Sequence, residues 1–199
     1  MKMVYLIILT LLLSLILVSG ISGKKQVCPE VVSTKSEDGS RYGFMDEKGD
    51  IVIGYIYDDA EPFIDGMARV CRNGKCGYVN HEGREVIQTV YDFIGHFYTE
   101  NCGLAVARVG DRYGFIKRNG DVAIPIAYDY CDSKFFDGRV RVMLHGKWGF
   151  LDQFGNDAVP LMYDGAEAFN DGLALVVQDN EYFFIDISGN RIKTNNTDR

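Results

Sequence analysis

Short apolar runs recur along this chain at a nearly constant interval, and polar turn residues separate them. Each interval contains one three-residue core, which in its commonest form is an aromatic residue, a glycine and a second aromatic residue. Successive cores start 34, 37, 35 and 34 residues apart. Self-similarity at a period of about 20 to 50 residues indicates a repeat architecture. The five cores are Tyr42-Gly43-Phe44, Cys76-Gly77-Tyr78, Tyr113-Gly114-Phe115, Trp148-Gly149-Phe150 and Tyr182-Phe183-Phe184.

Further positions recur in register with these cores. A glycine follows seven residues after the first residue of each core, and a Tyr-Asp pair follows fifteen residues after it in the first four repeats. A catalytic residue is normally unique, whereas a scaffold residue repeats with the scaffold. We therefore interpret the aspartate as an acceptor of backbone N–H bonds in the linker, and the tyrosine as a filler of the space between repeats. The pairs are Tyr57-Asp58, Tyr91-Asp92, Tyr128-Asp129 and Tyr163-Asp164.

Two turn-forming residues precede each core and predict a tight β-hairpin that leads into it. The strand with the core is followed by a loop that ends on the recurring glycine, and then by a third strand. That strand ends at Pro125 in the third repeat and at Pro160 in the fourth, because proline lacks the N–H donor. With residues 31–36 as the first strand, the chain holds five three-stranded meanders. The predicted turns are Gly39-Ser40, Asn73-Gly74, Gly110-Asp111, His145-Gly146 and Asp179-Asn180.

The stretch GKWGFLDQFGNDAVPLMYDGAEAFNDGLALVV, which begins at Gly146, closely resembles the WG (KWG) repeat. The resemblance covers roughly residues 40–190 and implies a β-rich repeat domain, but no particular activity. This chain departs from the pattern where tyrosine or cysteine replaces the tryptophan, and where Phe183 replaces the glycine. We expect an all-β fold of five three-stranded β-meander units in a curved, open, solenoid-like array. A closed five-bladed β-propeller of the same units is the alternative.

The register of each hairpin assigns residues to the two faces of a meander. With Asn73-Gly74 as the turn, Val70 lies opposite Gly77. Their face carries only small residues, and we expect it to be core because it suits close packing against a neighbouring backbone. The opposite face carries aromatic and arginine side chains, which either bind a partner or pack on the next repeat. The candidate surface residues on it are Tyr42, Tyr113, Arg141, Trp148 and Phe150.

The cysteines provide evidence about the register of one hairpin and about the cellular compartment of the protein. In the same register Cys71 lies opposite Cys76, at a site where the two strands approach most closely, which predicts a disulfide bond in an exported protein. Both lie in strands rather than at a helix start, so a redox site is not favoured. Cys131 occupies a position that is alanine in two other repeats and is expected to be buried. Cys28 is the best candidate for a bond to another chain.

The N-terminal segment predicts export. Lys2 precedes a predominantly apolar run from Met3 to Val18, and small residues follow, as in a secretory signal peptide. Counted from Met3 to Ile21 the segment has 19 residues, which is close to the length of about 20 that a membrane anchor needs. We expect residues 1–23 to be a signal peptide or an N-terminal membrane anchor, 24–30 a short linker, 31–193 the repeat domain and 194–199 a polar tail. The protein is then secreted, periplasmic or at the cell surface, or anchored in the membrane by its N-terminal segment.

Charge and motifs limit the function classes. A net charge of −7 argues against a nucleic-acid partner, which would need a clustered basic face. The sequence contains no nucleophile elbow, phosphate loop or dinucleotide fingerprint, so we expect neither an enzyme nor a bound cofactor or metal. The hypothesis is a non-catalytic protein-binding or scaffolding module. The alternative is a carbohydrate-binding domain that uses exposed Trp148, Tyr113 and Tyr42 as stacking platforms.

Overall fold

The computed structural model describes residues 31–99 and 102–193, which form strands and turns without an α-helix. Within these ranges no helix is long and apolar enough to cross a bilayer. The predicted signal or anchor segment, the linker and the polar tail lie outside the described residues. The strands are β1 Val32–Lys35, β2 Tyr42–Met45, β3 Ile51–Tyr57, β4 Asp59–Ala60, β5 Met67–Arg72, β6 Lys75–Asn80, β7 Glu85–Tyr91, β8 Phe93–Ile94, β9 Leu104–Val109, β10 Arg112–Lys117, β11 Val122–Tyr128, β12 Tyr130–Cys131, β13 Val140–Leu144, β14 Lys147–Leu151, β15 Asp157–Tyr163, β16 Gly165–Ala166, β17 Leu173–Gln178 and β18 Glu181–Asp186.

These strands form five small antiparallel sheets in tandem, one for each predicted repeat. In chain order the sheets are β1-β2-β3, β4-β5-β6-β7, β8-β9-β10-β11, β12-β13-β14-β15 and β16-β17-β18. The all-β tandem repeat expected from the sequence is therefore confirmed. The third strands do not end at Pro125 and Pro160, as we had expected, because β11 and β15 continue past them to Tyr128 and Tyr163.

Each of the three middle sheets has one strand more than the predicted meander. The extra strand consists of the two residues that follow the Tyr-Asp pair, and it hydrogen-bonds to the first long strand of the next repeat. The fifth sheet has no long third strand, and only the bridge between Ile185 and Arg191 stands in its place.

Buried apolar clusters lie at the junctions between consecutive sheets. There are four such clusters among the described residues, and each combines residues of two successive repeats. The small-residue face is buried as predicted, for example at Ala68 and Val70, both 0% exposed. No cluster in the described part of the chain joins the fifth sheet to the first, as a closed propeller would require. The open tandem array is thus favoured over the closed alternative.

The core glycine is required by a bulge in the neighbouring strand of the same sheet. In the second repeat Cys76 pairs with Tyr91 and Tyr78 pairs with Ile87, so two extra residues of β7 lie opposite Gly77. A β-carbon at Gly77 would lie 2.4 Å from the carbonyl oxygen of Ile87. The corresponding contacts are as short in the first, third and fourth repeats, at 2.5 Å for Gly43, 2.5 Å for Gly114 and 2.7 Å for Gly149.

The hairpin that contains the disulfide forms in the predicted register. Asn73 and Gly74 both have positive φ, 54° and 73°, which is the geometry of a type I′ turn. Val70 pairs with Gly77 and Cys71 with Cys76, whose sulfur atoms are bonded. Cys131 is buried, at 6% exposure, as expected.

The first hairpin differs from the prediction. A six-residue loop, 36–41, joins β1 to β2 instead of a two-residue turn at Gly39-Ser40. The carboxylate of Asp38 organises this loop, because it accepts hydrogen bonds from the hydroxyls of Ser36 and Ser40 and from the Ser40 N–H. The prediction of a tight turn was wrong here because a side-chain carboxylate closes the longer loop.

Candidate functional site

The aspartate of each Tyr-Asp pair joins two repeats. Asp92 accepts a hydrogen bond from Nζ of Lys75 in its own repeat at 2.6 Å. Its second oxygen accepts the backbone N–H of Gly110, in the hairpin turn of the next repeat, at 2.8 Å. We had expected the donating backbone N–H to lie in the linker. It lies instead in the hairpin turn of the next repeat. The same arrangement links Asp58 with Arg41 and Gly74, Asp129 with Arg112 and His145, and Asp164 with Lys147 and Asp179.

These contacts favour the ionised form of Asp92 and of Asp164. The hydrogen bond from Lys75, followed by that from the Gly110 N–H, lowers the pKa of Asp92 below its ordinary value. The hydrogen bond from Lys147 and the N–H of Asp179 do the same to the pKa of Asp164, and the pKa of Lys147 is raised in return. The tyrosines of the pairs fill the junctions as predicted. Tyr57, Tyr91 and Tyr163 are buried, and Tyr128 is half-buried.

We expect the junction between the second and third sheets to weaken in acid because of Asp92. Its pKa is lower in the folded chain than in the unfolded chain, so its contribution to stability is complete above the ordinary value of 3.8. That contribution is lost as the pH falls through the lowered value. Melting temperatures measured from pH 6 down to about pH 2 should fall less steeply for Asp92→Asn than for the wild type. Equal slopes for the two chains would contradict this assignment.

Aromatic and arginine side chains gather between the third, fourth and fifth sheets. The guanidinium of Arg141 lies 5.0 Å from the ring centroid of Trp148 and 5.6 Å from that of Tyr130. It forms an ion pair with Asp132 at 2.9 Å, and Tyr130 donates its hydroxyl proton to the same carboxylate. The Arg141 Nη1 also donates to the carbonyl of Ala166, in the first strand of the next sheet, at 2.6 Å. We call Tyr113, Tyr130, Asp132, Arg141 and Trp148 the Trp148 cluster.

Burial and ion pairing have opposite effects on the pKa of Arg141 in this cluster. Burial alone would lower the pKa of Arg141, but the hydrogen bond and charge of Asp132 outweigh it and the pKa is raised. Burial, and then the hydrogen bond to Asp132, raise the pKa of Tyr130. The Trp148 cluster is therefore a packed polar contact between repeats with a partly exposed rim.

Three of the predicted surface residues meet in this cluster, and two do not. Tyr113, Arg141 and Trp148 come together as their shared face predicts. Tyr42 lies in the first sheet, where Nζ of Lys35 stands 4.9 Å from its ring centroid. Phe150 is not a surface residue: it is 1% exposed because Phe169 packs on it at 4.5 Å. Sequence reasoning missed Tyr130 and Asp132, which lie one and three residues after Asp129, because this segment was interpreted as a linker.

A second arginine–carboxylate pair lies beside an open cavity at the junction of the second and third sheets. Arg69 pairs with Glu61, as Arg141 pairs with Asp132, and donates to the Ile94 carbonyl at 3.5 Å. The cavity beside it has a volume of about 120 Å³. We call it the Arg69 pocket. Its principal lining residues are Glu61, Arg69, Tyr78, His96, Phe97, Tyr98 and Arg118.

The walls of the Arg69 pocket are aromatic and its rim is charged. The guanidinium of Arg118 lies 5.6 Å from the ring centroid of Phe97 and donates to the Asp65 carbonyl at 2.8 Å. The Tyr78 hydroxyl donates to the Gly95 carbonyl at 2.8 Å, and burial raises the pKa of Tyr78 to about 12. The pocket could not be read from the repeat pattern, because His96 and Arg118, which complete it, lie at positions where the repeats differ in sequence.

The remaining chemistry-bearing side chains are dispersed. In residues 31–99 and 102–193 no three histidine, cysteine or acidic side chains come together as a metal site would require. His81 stacks on Phe63 with ring centroids 4.1 Å apart, whereas His96 lies in the Arg69 pocket and His145 in a hairpin turn. The thiol of Cys102 is exposed and donates to Gln153.

Tandem sheets joined by a recurring aspartate define a β-repeat protein. The sequence matches a family described as WG containing repeat over residues 42–76, 77–113, 113–148 and 148–182. The chain belongs to this family, as its cores predicted. No curated protein matches the chain.

Two solved structures are similar at low identity. One, described as "KlHsv2 with loop 6CD replaced by a Gly-Ser linker", is 8% identical with a TM-score of 0.40. The match covers 83% of this chain and 66% of that one, slightly less than two thirds of its length. The other, described as "The de novo evolutionary emergence of a symmetrical protein is shaped by folding constraints", is 11% identical with a TM-score of 0.28, over 79% and 86% of the two chains. At these scores neither structure bears on fold or function.

Proposed function

We propose that this chain is an exported, non-catalytic protein-binding module, with the Arg69 pocket as its binding site. The observation that carries the proposal is the pocket itself, an open recess of about 120 Å³ between two sheets. Aromatic and arginine side chains line it, and these are the residue types enriched at protein interfaces. Such a recess fits one bulky apolar side chain of a partner. Arg69 is already paired with Glu61, so a carboxylate of the partner would approach Arg118, whose side chain is 39% exposed at the rim.

The Trp148 cluster is poorly suited to glycan binding. A sugar ring stacks on a free aromatic face, whereas Arg141 lies against both Trp148 and Tyr130. Trp148 is also half-buried and does not present a fully exposed ring. The ring of Tyr42, another predicted stacking platform, is covered by Lys35. These contacts favour a protein partner over the carbohydrate alternative.

Two features support an exported, non-catalytic role. The Cys71–Cys76 disulfide suits an oxidising compartment, in agreement with the signal-like N-terminal sequence. The recurring aspartates are each engaged by a lysine or arginine and a backbone N–H, so their repetition has a structural reason. The partner and the site of export are parts of this proposal.

The test uses the full-length chain as bait in the native source, with cross-linking before purification. We expect a protein partner whose recovery falls at least about tenfold with Tyr98→Ser, because Tyr98 is 44% exposed at the pocket. The matched control is Tyr55→Ser, since Tyr55 is an exposed tyrosine of β3 that does not line the pocket.

Two results would contradict the proposal. One is equal recovery of every partner with the Tyr98→Ser and Tyr55→Ser chains. The other is a glycan that changes the fluorescence of Trp148, the single tryptophan, and protects it from acrylamide quenching. The second result would transfer the binding site to the Trp148 cluster.

A further inference from the structure

Three linkers expose a large apolar side chain at the same position. Ile64, Tyr98 and Phe136 are 62%, 44% and 42% exposed. Each of them directly follows the linker phenylalanine that packs on the core aromatic residue of its repeat. We call these three exposed side chains the tip residues. Ile64 and Tyr98 both line the Arg69 pocket, so this pocket opens between two successive tip residues.

A lysine from the next linker stands beside the pocket. Nζ of Lys134 lies 5.2 Å from the ring centroid of Tyr98. Lys134 directly precedes Phe135 in a linker that is one residue longer than the others. Tyr128 precedes Phe135 by seven residues, whereas the corresponding interval is six residues in the other three linkers. Because the scaffold forms three times without the additional residue, the recurring junctions do not explain a lysine at this place.

Two positive charges beside the pocket are open to a partner. In the part of the chain that the structure describes, Lys134 forms no ion pair, and its contact with an aromatic ring leaves its charge in place. Arg118 reaches a carboxylate oxygen of Asp65 only at 3.9 Å, and an exposed pair at that distance is weak. Arg69, in contrast, is held by Glu61. The opening of the pocket thus carries positive charge in a protein whose net charge is −7.

We propose that the partner of the Arg69 pocket is an acidic protein segment, which inserts an apolar side chain beside Tyr98 and places carboxylates beside Arg118 and Lys134. This inference rests on the proposed function and adds the chemistry of the partner to it. Complementary charge selects the segment and sets its direction across the surface. Beyond Lys134 the segment meets Phe136, two residues further along the chain, whose exposed ring offers a second apolar contact.

The probe is a synthetic peptide, SDFDEDELDS, labelled with fluorescein, in which acidic residues separate two apolar side chains. We expect saturable binding to the full-length chain by fluorescence anisotropy, and the affinity should fall as the salt concentration rises. The amide version SNFNQNQLNS has no carboxylates and should bind at least about tenfold more weakly. The version SDSDEDESDS, which keeps the carboxylates but has serine in place of both apolar residues, should be weakened by a similar factor.

The protein variant Lys134→Glu tests the charge itself. It should weaken binding of the acidic peptide at least about tenfold, because a carboxylate then faces the carboxylates of the peptide. A basic version of the peptide, SKFKKKKLKS, should show the opposite preference and bind Lys134→Glu more tightly than the wild-type chain. Loss of a structural contact alone would not reverse the preference. The matched control is Lys48→Glu, since Lys48 is an exposed lysine in the loop between β2 and β3 and does not line the pocket.

Absence of binding up to about 1 mM acidic peptide would overturn the inference, and so would equal binding of the three peptide versions or equal effects of Lys134→Glu and Lys48→Glu. Failure of the inference is distinguishable from failure of the proposed function. If recovery of the native partner falls with Tyr98→Ser but not with Lys134→Glu, the pocket binds that partner and the acidic chemistry is wrong. If no partner depends on Tyr98, both fail.

Discussion

Alanine in place of Gly114 is expected to lower the free energy of unfolding by about 3 kcal/mol or more. The added β-carbon would lie 2.5 Å from the carbonyl oxygen of Pro125 and 2.6 Å from that of Ile124. Both atoms belong to the backbone of β11, so no side-chain rotation relieves the clash. The bulge must open, and the pairing of β10 with β11 is lost with it. Urea unfolding monitored by circular dichroism measures the difference.

Gly54→Ala is the matched control for this prediction. Gly54 also lies in a strand, β3, but a β-carbon there meets no atom within 4 Å. Its φ is not in the left-handed region, so alanine fits and restricts the unfolded chain. We expect a change of less than about 1 kcal/mol, in the stabilising direction. Equal destabilisation by the two substitutions would mean that the bulge does not require glycine.

The bulge itself could not be predicted from the apolar pattern. Two extra residues are an even number, and side chains alternate between the faces of a strand with a period of two. Ile124 and Tyr128 therefore both fit a regular alternation although the pairing shifts between them. The glycine core predicted a close backbone approach, and in the structure the approaching backbone is the next strand of the same sheet.

Hairpin registers were predictable except in the first repeat, and the contacts between repeats were only partly predictable. Asn73-Gly74 fixes the pairing of Val70 with Gly77 locally, through a turn that demands positive φ. The partners of Asp92 are 17 and 18 residues away, and no local rule selects the next hairpin over the linker. The core strands are also buried on both faces. The face that carries Phe150 was therefore predicted to be a candidate surface, but in the structure it is part of the core.

The Arg69 pocket and the fifth sheet lie where the repeats depart from their consensus. His96 and Arg118 have no counterparts of the same type in the other repeats, and Phe183 stands where the other cores have glycine. Residues that recur are explained by the junctions that recur. Residues that break the pattern are not explained by the recurring junctions, and the proposed binding site is therefore sought among them.

Alanine in place of Asp132 is expected to destabilise the fold by about 2–3 kcal/mol, and removal of Arg141 as well should restore most of that loss. The side chain of Arg141 is 20% exposed, so its guanidinium is largely desolvated and depends on the carboxylate of Asp132. Without that carboxylate a charge is left between the fourth and fifth sheets with the neutral Ala166 carbonyl and Tyr130 hydroxyl as its remaining partners. Its partial exposure keeps the loss below that of a fully buried pair.

The chain itself shows that an apolar residue is accepted at this position. Val106 of the third sheet and Leu175 of the fifth occupy the place of Arg141, as their pairing with Phe115 and Phe184 shows. The double variant Asp132→Ala, Arg141→Leu should therefore unfold within about 1 kcal/mol of the wild type. A matched exposed pair is Arg84 with Glu82, whose side chains are 78% and 62% exposed, and Glu82→Ala should change stability by less than about 0.5 kcal/mol. Additive losses in the double variant would contradict the view that the Asp132 carboxylate serves mainly to neutralise Arg141, and would assign each side chain its own contacts across the junction.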